Sequence, residues 1–491
     1  MKESMYEHGI KVLENPTSII APITADSAVQ FVVGTAPVNL LANPAGAVNK
    51  PILVNSFVEA KLNIGYSNSF DKFTLCQSID ASFRVFNVAP LVLVNVLDPA
   101  EHFTPVLTEL KAIVNGQITI DEEGILLDAN FVVKDSTGTT TYVKDRDYTV
   151  EFTDDGYVLL KVLKAPGTIP ANATQLSFSY HQLDPSMVTK TDIIGGYDTA
   201  TGKYTGLENI GQVYPRLGIV PGLMLCPGWS QDPEVNAVMT AKVEGINGVF
   251  KCNFLTDIDS NTVKVYTDCN TWKNNNSYTN RHNIVCWPMV QVGSKKYYMS
   301  AMMAALIAYT DALNDGVPYV SPSNKQFRIT GTCLKDGTEV YLDQQQANLL
   351  NGQGITTSIN INGWRSWGNN TGVYPGSTDI KDRFIPVRRM FDWWGNTFIL
   401  TYFQKVDDPM NNRLIESIVD SENIRANGYK ARYQLADARI EFIKDQNPVT
   451  DLLNGKIRFN QYLTPYPPAE TITDVLEFDP DALSASLGGG Q

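Results

Sequence analysis

Three short stretches of the chain are apolar almost without interruption: residues 28–34 (AVQFVVG), 91–97 (LVLVNVL) and 223–226 (LMLC). A strand with one wet face alternates apolar and polar positions. An uninterrupted one is buried on both faces, as in a parallel sheet between helices. Between the first two, Leu75, Ile79, Phe83 and Phe86 recur at helical spacing over 71–87, so 25–113 reads as a βαβ unit. The pattern returns after 186. The strand at 223–226 ends at Pro227-Gly228, and Pro233 opens a helix with Asp232 as its N-cap and Val235, Met239, Val243 and Ile246 on its apolar face. Further strands are predicted at 249–258 and 284–290. A second helix then carries Met299, Met302, Met303, Leu306, Ile307 and Leu313 on one side and stops at Gly316. Its methionines suit a packed core.

Residues 114–185 have no helical period. Phe131-Val132-Val133, Tyr142-Val143 and the runs 148–152, 157–163 and 176–180 are strand-sized, with turns at Ser136-Thr137-Gly138 and Asp154-Asp155-Gly156 between them. This pattern predicts a small all-β insert of the sandwich type.

The C-terminal part mixes both periods. Phe398, Leu400 and Tyr402 alternate with Ile399 and Thr401, predicting a strand over 396–403. A helix over 411–426 buries Leu414, Ile415, Ile418 and Val419 and turns Arg413, Glu416, Asp420 and Arg425 outward, with Asn427-Gly428 as its stop. Ile457, Phe459 and Leu463 then alternate with Lys456, Arg458 and Asn460. Pro465, Pro467 and Pro468 follow, and beyond them Ile472, Leu476 and Phe478 share a face opposite Thr473 and Glu477. The prolines keep this last strand from folding back as a tight hairpin, so it packs on its own domain or finds an edge elsewhere. At the other end, Ile10, Val12 and Leu13 lie in a strand-sized run with polar flanks, a second candidate arm. The expected division is 1–24 N-terminal arm, 25–113 and 186–370 α/β core, 114–185 β insert, 371–463 C-terminal domain and 464–491 C-terminal arm.

The chain has 491 residues and a net charge of −13, which argues against nucleic acid as a partner because phosphate binding needs clustered Lys and Arg. No apolar run is long enough for a membrane helix, and the N-terminus lacks the apolar core of a signal peptide. Cys76, Cys226, Cys252, Cys269, Cys286 and Cys333 form no C-x-x-C pair and read as buried thiols in a reducing compartment, so no metal site is expected. Gly34 and Gly46 make no dinucleotide loop. The histidines are His8, His102, His181 and His282, none in a recognisable active-site sequence. Gly228-Trp229-Ser230 is followed by Gln231-Asp232, so there is no nucleophile elbow. Catalytic residues and cofactors are therefore expected to be absent.

Five motifs carry a family resemblance, in order from about 192 to 478. They are Leu225-Cys226-Pro227-Gly228-Trp229-Ser230; the run 308–324 (AYTDALNDGVPYVSPSN); 362–371 (NGWRSWGNNT); 384–391 (FIPVRRMF); and Gly455-Lys456-Ile457-Arg458-Phe459 with Pro467-Pro468-Ala469-Glu470. Together they resemble contractile-tail sheath proteins of phage tails, bacteriocins and injection systems. The departures are Cys226 at an alanine position and Asn370 at a usually basic one.

The resemblance implies an α/β multidomain fold: a subtilisin-like α/β core, an inserted β-sandwich and an α+β C-terminal domain with extended terminal arms. It implies a homo-oligomer of stacked hexameric rings around an inner tail tube, with baseplate and tail terminator proteins as further partners, no nucleic acid and no membrane insertion. Such a sheath is made in a bacterial cytoplasm, joins a phage tail or tail-like particle, and contracts to drive the tube through an envelope. The arm strands would hold Ile10, Val12, Leu13, Ile472, Val475, Leu476 and Phe478, and the acceptor strands Phe398, Leu400, Tyr402, Ile457 and Phe459. A tube-facing helix would present Arg413, Glu416, Asp420, Glu422 and Arg425. The Pro-rich run 465–468 and the segment 15–27 would be hinges. Two alternatives stay open on the residues alone: a hydrolase on the α/β domain, and another self-assembling shell protein.

Overall fold

The uninterrupted apolar stretches become the centre of an eight-stranded sheet. The computed structural model describes residues 23–488 apart from 25 and 165. In chain order the strands are β1 (Gln30–Gly34), β2 (Ile52–Val54), β3 (Leu91–Asn95), β4 (Leu223–Leu225), β5 (Asn253–Asp257), β6 (Asn283–Cys286), β7 (Ile355–Asn360) and β8 (Trp364–Trp367). Their order across the sheet is β8-β7-β6-β5-β4-β1-β3-β2. The strands from β7 to β3 run parallel, and β8 and β2 pair antiparallel at the two edges. β1, β3, β4, β5 and β6 are buried at every position, which is why their sequences do not alternate.

Helix α1 (Pro233–Val243) starts as its sequence predicts, with the Asp232 carboxylate accepting from the Glu234 amide. Helix α2 (Met299–Ala312) is buried nearly all round and packs against β5 and the segment 80–86, so its methionines are core. The helical pattern at 71–87 becomes a short α-helix, Leu75–Ile79, widening into a π-helical stretch, Asp80–Phe86.

Residues 103–183 form two antiparallel sheets. One holds Phe103–Ala112, Gln175–Leu183, Val132–Asp135 and Thr141–Tyr142, the other Tyr148–Phe152, Val158–Val162 and Gln117–Ile120. They enclose a core of their own, including Ile118, Val133, Leu160 and Phe178.

Two corrections fall in the C-terminal part. Residues 396–403 are not a strand: Phe398, Leu400 and Tyr402 lie on helix α3 (Ile385–Tyr402). Five alternating positions are too short a sample to outweigh the helix that Pro386 opens upstream. Phe398 and Tyr402 meet as an i, i+4 ring pair, with centroids 4.8 Å apart. Helix α4 (Asn412–Ala431), capped by Asn411, runs straight through Asn427-Gly428. Arg413, Glu416 and Asp420 are exposed on it, but Glu422 is fully buried.

A hairpin of β9 (Asp437–Glu441) and β10 (Asn460–Thr464) packs on α4. Ile457 and Phe459 precede this ladder. Here the core is small, built from Val317, Met390, Trp394, Ala426, Leu435 and Ala438.

Candidate assembly surfaces

The root of the C-terminal unit is α3, and the adjacent arginines of FIPVRRMF hold it. Arg389 reaches both carboxylate oxygens of Asp311 on α2, at 2.5 and 3.0 Å, and the Ser27 hydroxyl donates to the same carboxylate. Arg388 forks onto Asp392 and reaches Asp382 at 3.1 Å. Asp392 also accepts from Asn253 and lies 3.0 Å from Nδ1 of His282. Burial alone would raise the Asp392 carboxyl, but His282 and Arg388 outweigh it and hold it below the usual carboxylate range. Two neighbouring guanidiniums thus bind two buried carboxylates and fix the helix to the sheet.

Glu422 does the equivalent work inside the C-terminal unit. It accepts from Arg425 of its own helix, from Tyr402 of α3 and from Gln461 of β10. Arg425 stacks over the Trp394 ring, 3.7 Å from its centroid. These contacts remove Glu422 from any outer face, because they use its carboxylate to join α3, α4 and the hairpin.

The hairpin is open on one side only. On α4, the Asn423 side chain accepts from the Ile440 N–H at 3.0 Å and donates to the Ile440 carbonyl at 3.2 Å. One amide side chain thereby satisfies both outward groups at the centre of β9. In an antiparallel pair the residue opposite also points its groups outward. That residue is Gln461, and Leu463 has the same phase. Among the described residues no strand covers this edge of β10.

Beyond Thr464 the chain leaves its core. Pro465 is buried and Pro468 half-buried, but every residue from 471 to 480 is exposed. Ile472 and Leu476 are 88% and 89% exposed, and Val475 and Phe478 at least 71%. Among the described residues no strand pairs with this segment. The last helix, α5 (Pro480–Gly488), buries nothing, and at nine residues it falls short of the about 12–15 that an isolated helix needs in water. From 464 to the end there are five acids, Glu470, Asp474, Glu477, Asp479 and Asp481, and no Lys or Arg. Along the hairpin, Lys430 and Arg439 are paired with Asp437 and Glu441. The exposed Lys444, Lys456 and Arg458 have no carboxylate in reach among the described residues. Ile10, Val12 and Leu13 lie outside the described residues.

The groups that a hydrolase would need do not converge. Ser230 is buried at the C-terminal end of the sheet, its hydroxyl 3.3 Å from Asp257. Asp257 also accepts from the amide and hydroxyl of Ser300, and burial pushes its carboxyl up to about 6. His282 precedes β6, at the opposite end of the parallel strands, against Asp392. Among the described residues no His, Cys, Asp and Glu group could hold a metal ion, and no helix is long and apolar enough to cross a membrane.

The motif residues serve packing. Gly228 sits at φ 84° where an added Cβ would lie 3.1 Å from Thr74, and Gly368 sits at φ 148° with 2.9 Å to the Thr356 backbone. Asn370, at the position where the resemblance expects a base, accepts from Nε of Arg383 at 2.9 Å.

No protein-family model matches the chain. Its fold is that of contractile sheaths. It superposes on a chain of the anti-feeding prophage (AFP) baseplate with a TM-score of 0.58 at 14% identity, covering 97% of this chain and 100% of that one. It superposes on a chain of the PVC sheath complex of an extracellular contractile injection system, in the contracted state, with a TM-score of 0.56 at 14% identity, covering 98% and 99%. In sequence it is 28% identical to the tail sheath protein of Burkholderia phage BcepMu over 99% of both chains. In sequence this chain is thus similar to curated tail sheath proteins, and in fold to chains of contractile sheath systems.

Proposed function

We propose that this chain is the repeating subunit of a contractile sheath. It polymerises as stacked hexameric rings around an inner tube, between baseplate and terminator proteins, and contracts to drive the tube through a target envelope. The observation that carries this reading is the apolar segment 471–478, left in water while the parallel strands β1 and β3 to β6 are buried at every position. Burying one such side chain is worth roughly 1.5–3 kcal/mol, so four of them favour a second copy strongly. The open edge of β10 supplies backbone partners, each hydrogen bond worth about 0.5–1.5 kcal/mol net. The acidic arm suits the unpaired Lys444, Lys456 and Arg458 beside that edge. The acceptor is therefore β10 rather than residues 396–403. Ile10, Val12 and Leu13 form the second donated strand.

In this reading the two sheets of 103–183 are a peripheral sandwich inserted in a subtilisin-like core. The exposed Arg413, Glu416 and Asp420 of α4 face the tube. The protein is structural rather than catalytic, and the burial of Ser230 away from His282 supports that.

The test is electron microscopy of the chain ended after Glu470, alone and with the tube protein. It should remain folded and soluble and form no tubes. Val475→Pro, which removes a ladder donor, should do nearly the same. Glu416→Lys with Asp420→Lys should spare self-assembly and lose co-assembly with the tube. Normal tubes from the shortened chain would sink the arm reading, and an unfolded product would show that the segment belongs to its own domain.

A further inference from the structure

The prolines at 465–468 invite the idea that the arm pivots there. The contacts place the last attachment further along. Glu470 accepts from Nη2 of Arg383 at 2.6 Å, and no described residue after it is buried.

Arg383 is built to receive that carboxylate. Its guanidinium lies 4.4 Å from the Tyr374 ring centroid and 4.5 Å from that of Phe384. Its Nε is held by Asn370, which is itself buried and donates to the Asn351 carbonyl. The Thr371 backbone N–H donates to the Arg383 carbonyl at 2.8 Å. Two rings and an amide thus fix the plane of the guanidinium before the arm arrives, leaving its far edge for Glu470. An arginine held in one geometry loses little freedom when it pairs, which removes the usual weakness of surface ion pairs. Residues 468–472 in turn close one side of a polar cavity of about 650 Å³ lined by Ser321, Asn348, Asn351 and Trp367.

We propose that Arg383 and Glu470 form a latch within each subunit that fixes the direction in which the arm leaves the body. The residues up to Glu470 move with the α/β body, and the free arm begins after Ile472, the last residue that lines the cavity. Arg383 is a positioning residue: it touches the root of the arm, not its destination. This rests on the sheath reading for its purpose, but its geometry is testable without assembly.

Because the six native cysteines are buried, spin labels can be directed to two introduced ones. Thr473→Cys reports on the arm, and Gln345→Cys on the helix Gln344–Asn351 reports on the body. Val475→Pro is added to keep the full chain unassembled. Pulsed dipolar spectroscopy should show one narrow distance. Glu470→Gln and Arg383→Gln should each lose it in favour of a broad distribution, and the two together should broaden it no further than either alone. An equally narrow distance in all variants, or an equally broad one in the parent, overturns the latch. Tubes formed despite Val475→Pro would instead count against the arm reading, so the two failures are distinct.

Discussion

In the parallel sheet, Phe31, Val32, Leu93 and Phe254 have no exposure at all, whereas in the last stretch Ile472 and Leu476 are almost wholly in water. The residue types are the same. The difference is what lies beside them. β1 and β3 to β6 are buried at every position, so the centre of the sheet finds its cover within the chain. The segment 471–478 follows three prolines and a clamped glutamate, and among the described residues no strand pairs with it. The first region is closed within the chain, and the second leaves its apolar side chains in water.

The largest effect should come from opening the covered side. Phe254→Ala leaves a cavity beneath the sheet and should cost about 3–5 kcal/mol in chemical or thermal unfolding. Leu476→Ser should leave the stability of the unassembled chain unchanged and lower only the yield of tubes. Equal losses in both measurements would erase the contrast.

The root of α3 comes next. Arg389→Met strands Asp311 without its partner in a buried site and should cost on the order of 3 kcal/mol, most of it recovered by adding Asp311→Leu. Failure of the second substitution to recover stability would mean that the pair contributes specific attraction beyond mutual neutralisation.

Asp257 gives a smaller, pH-dependent effect. Its folded carboxyl titrates near 6, above its unfolded value, so the unionised form favours the folded state. Stability should be full below about pH 4 and fall as pH rises to about 6, by on the order of 2–3 kcal/mol, and Asp257→Asn should flatten that window. Asp80 and Asp392 have depressed carboxyls, and their contribution is lost on the acid side instead. A slope unchanged in Asp257→Asn would assign the titration to another group.

The sheet was readable in advance because two-sided burial leaves a sequence signal: VVG and LVLVNVL could fold few other ways. The cap at Asp232 was legible for a similar local reason. Residues 396–403 misled because aromatic and β-branched side chains alternate by accident on a helix whose start lies a dozen residues upstream. Glu422 misled because a carboxylate reads as surface until its partners, Tyr402 and Gln461, are brought from 20 and 39 residues away. Lys273, buried with its ammonium on the carbonyls of Gln353 and Tyr374, carries no local mark at all. Nor does Asn423, whose role depends on where β9 falls.

That asparagine sets a direction of growth. A two-stranded sheet ordinarily has two places where another strand can add, and a population of such sheets branches or stacks without limit. With the middle of β9 already occupied by a side chain of its own helix, each hairpin has a valence of one. In the proposed assembly a first incoming strand would take β10, and a second would join on the far side of the first. Under the proposed strand exchange, connections between copies would form as a queue, each depending on the one before it.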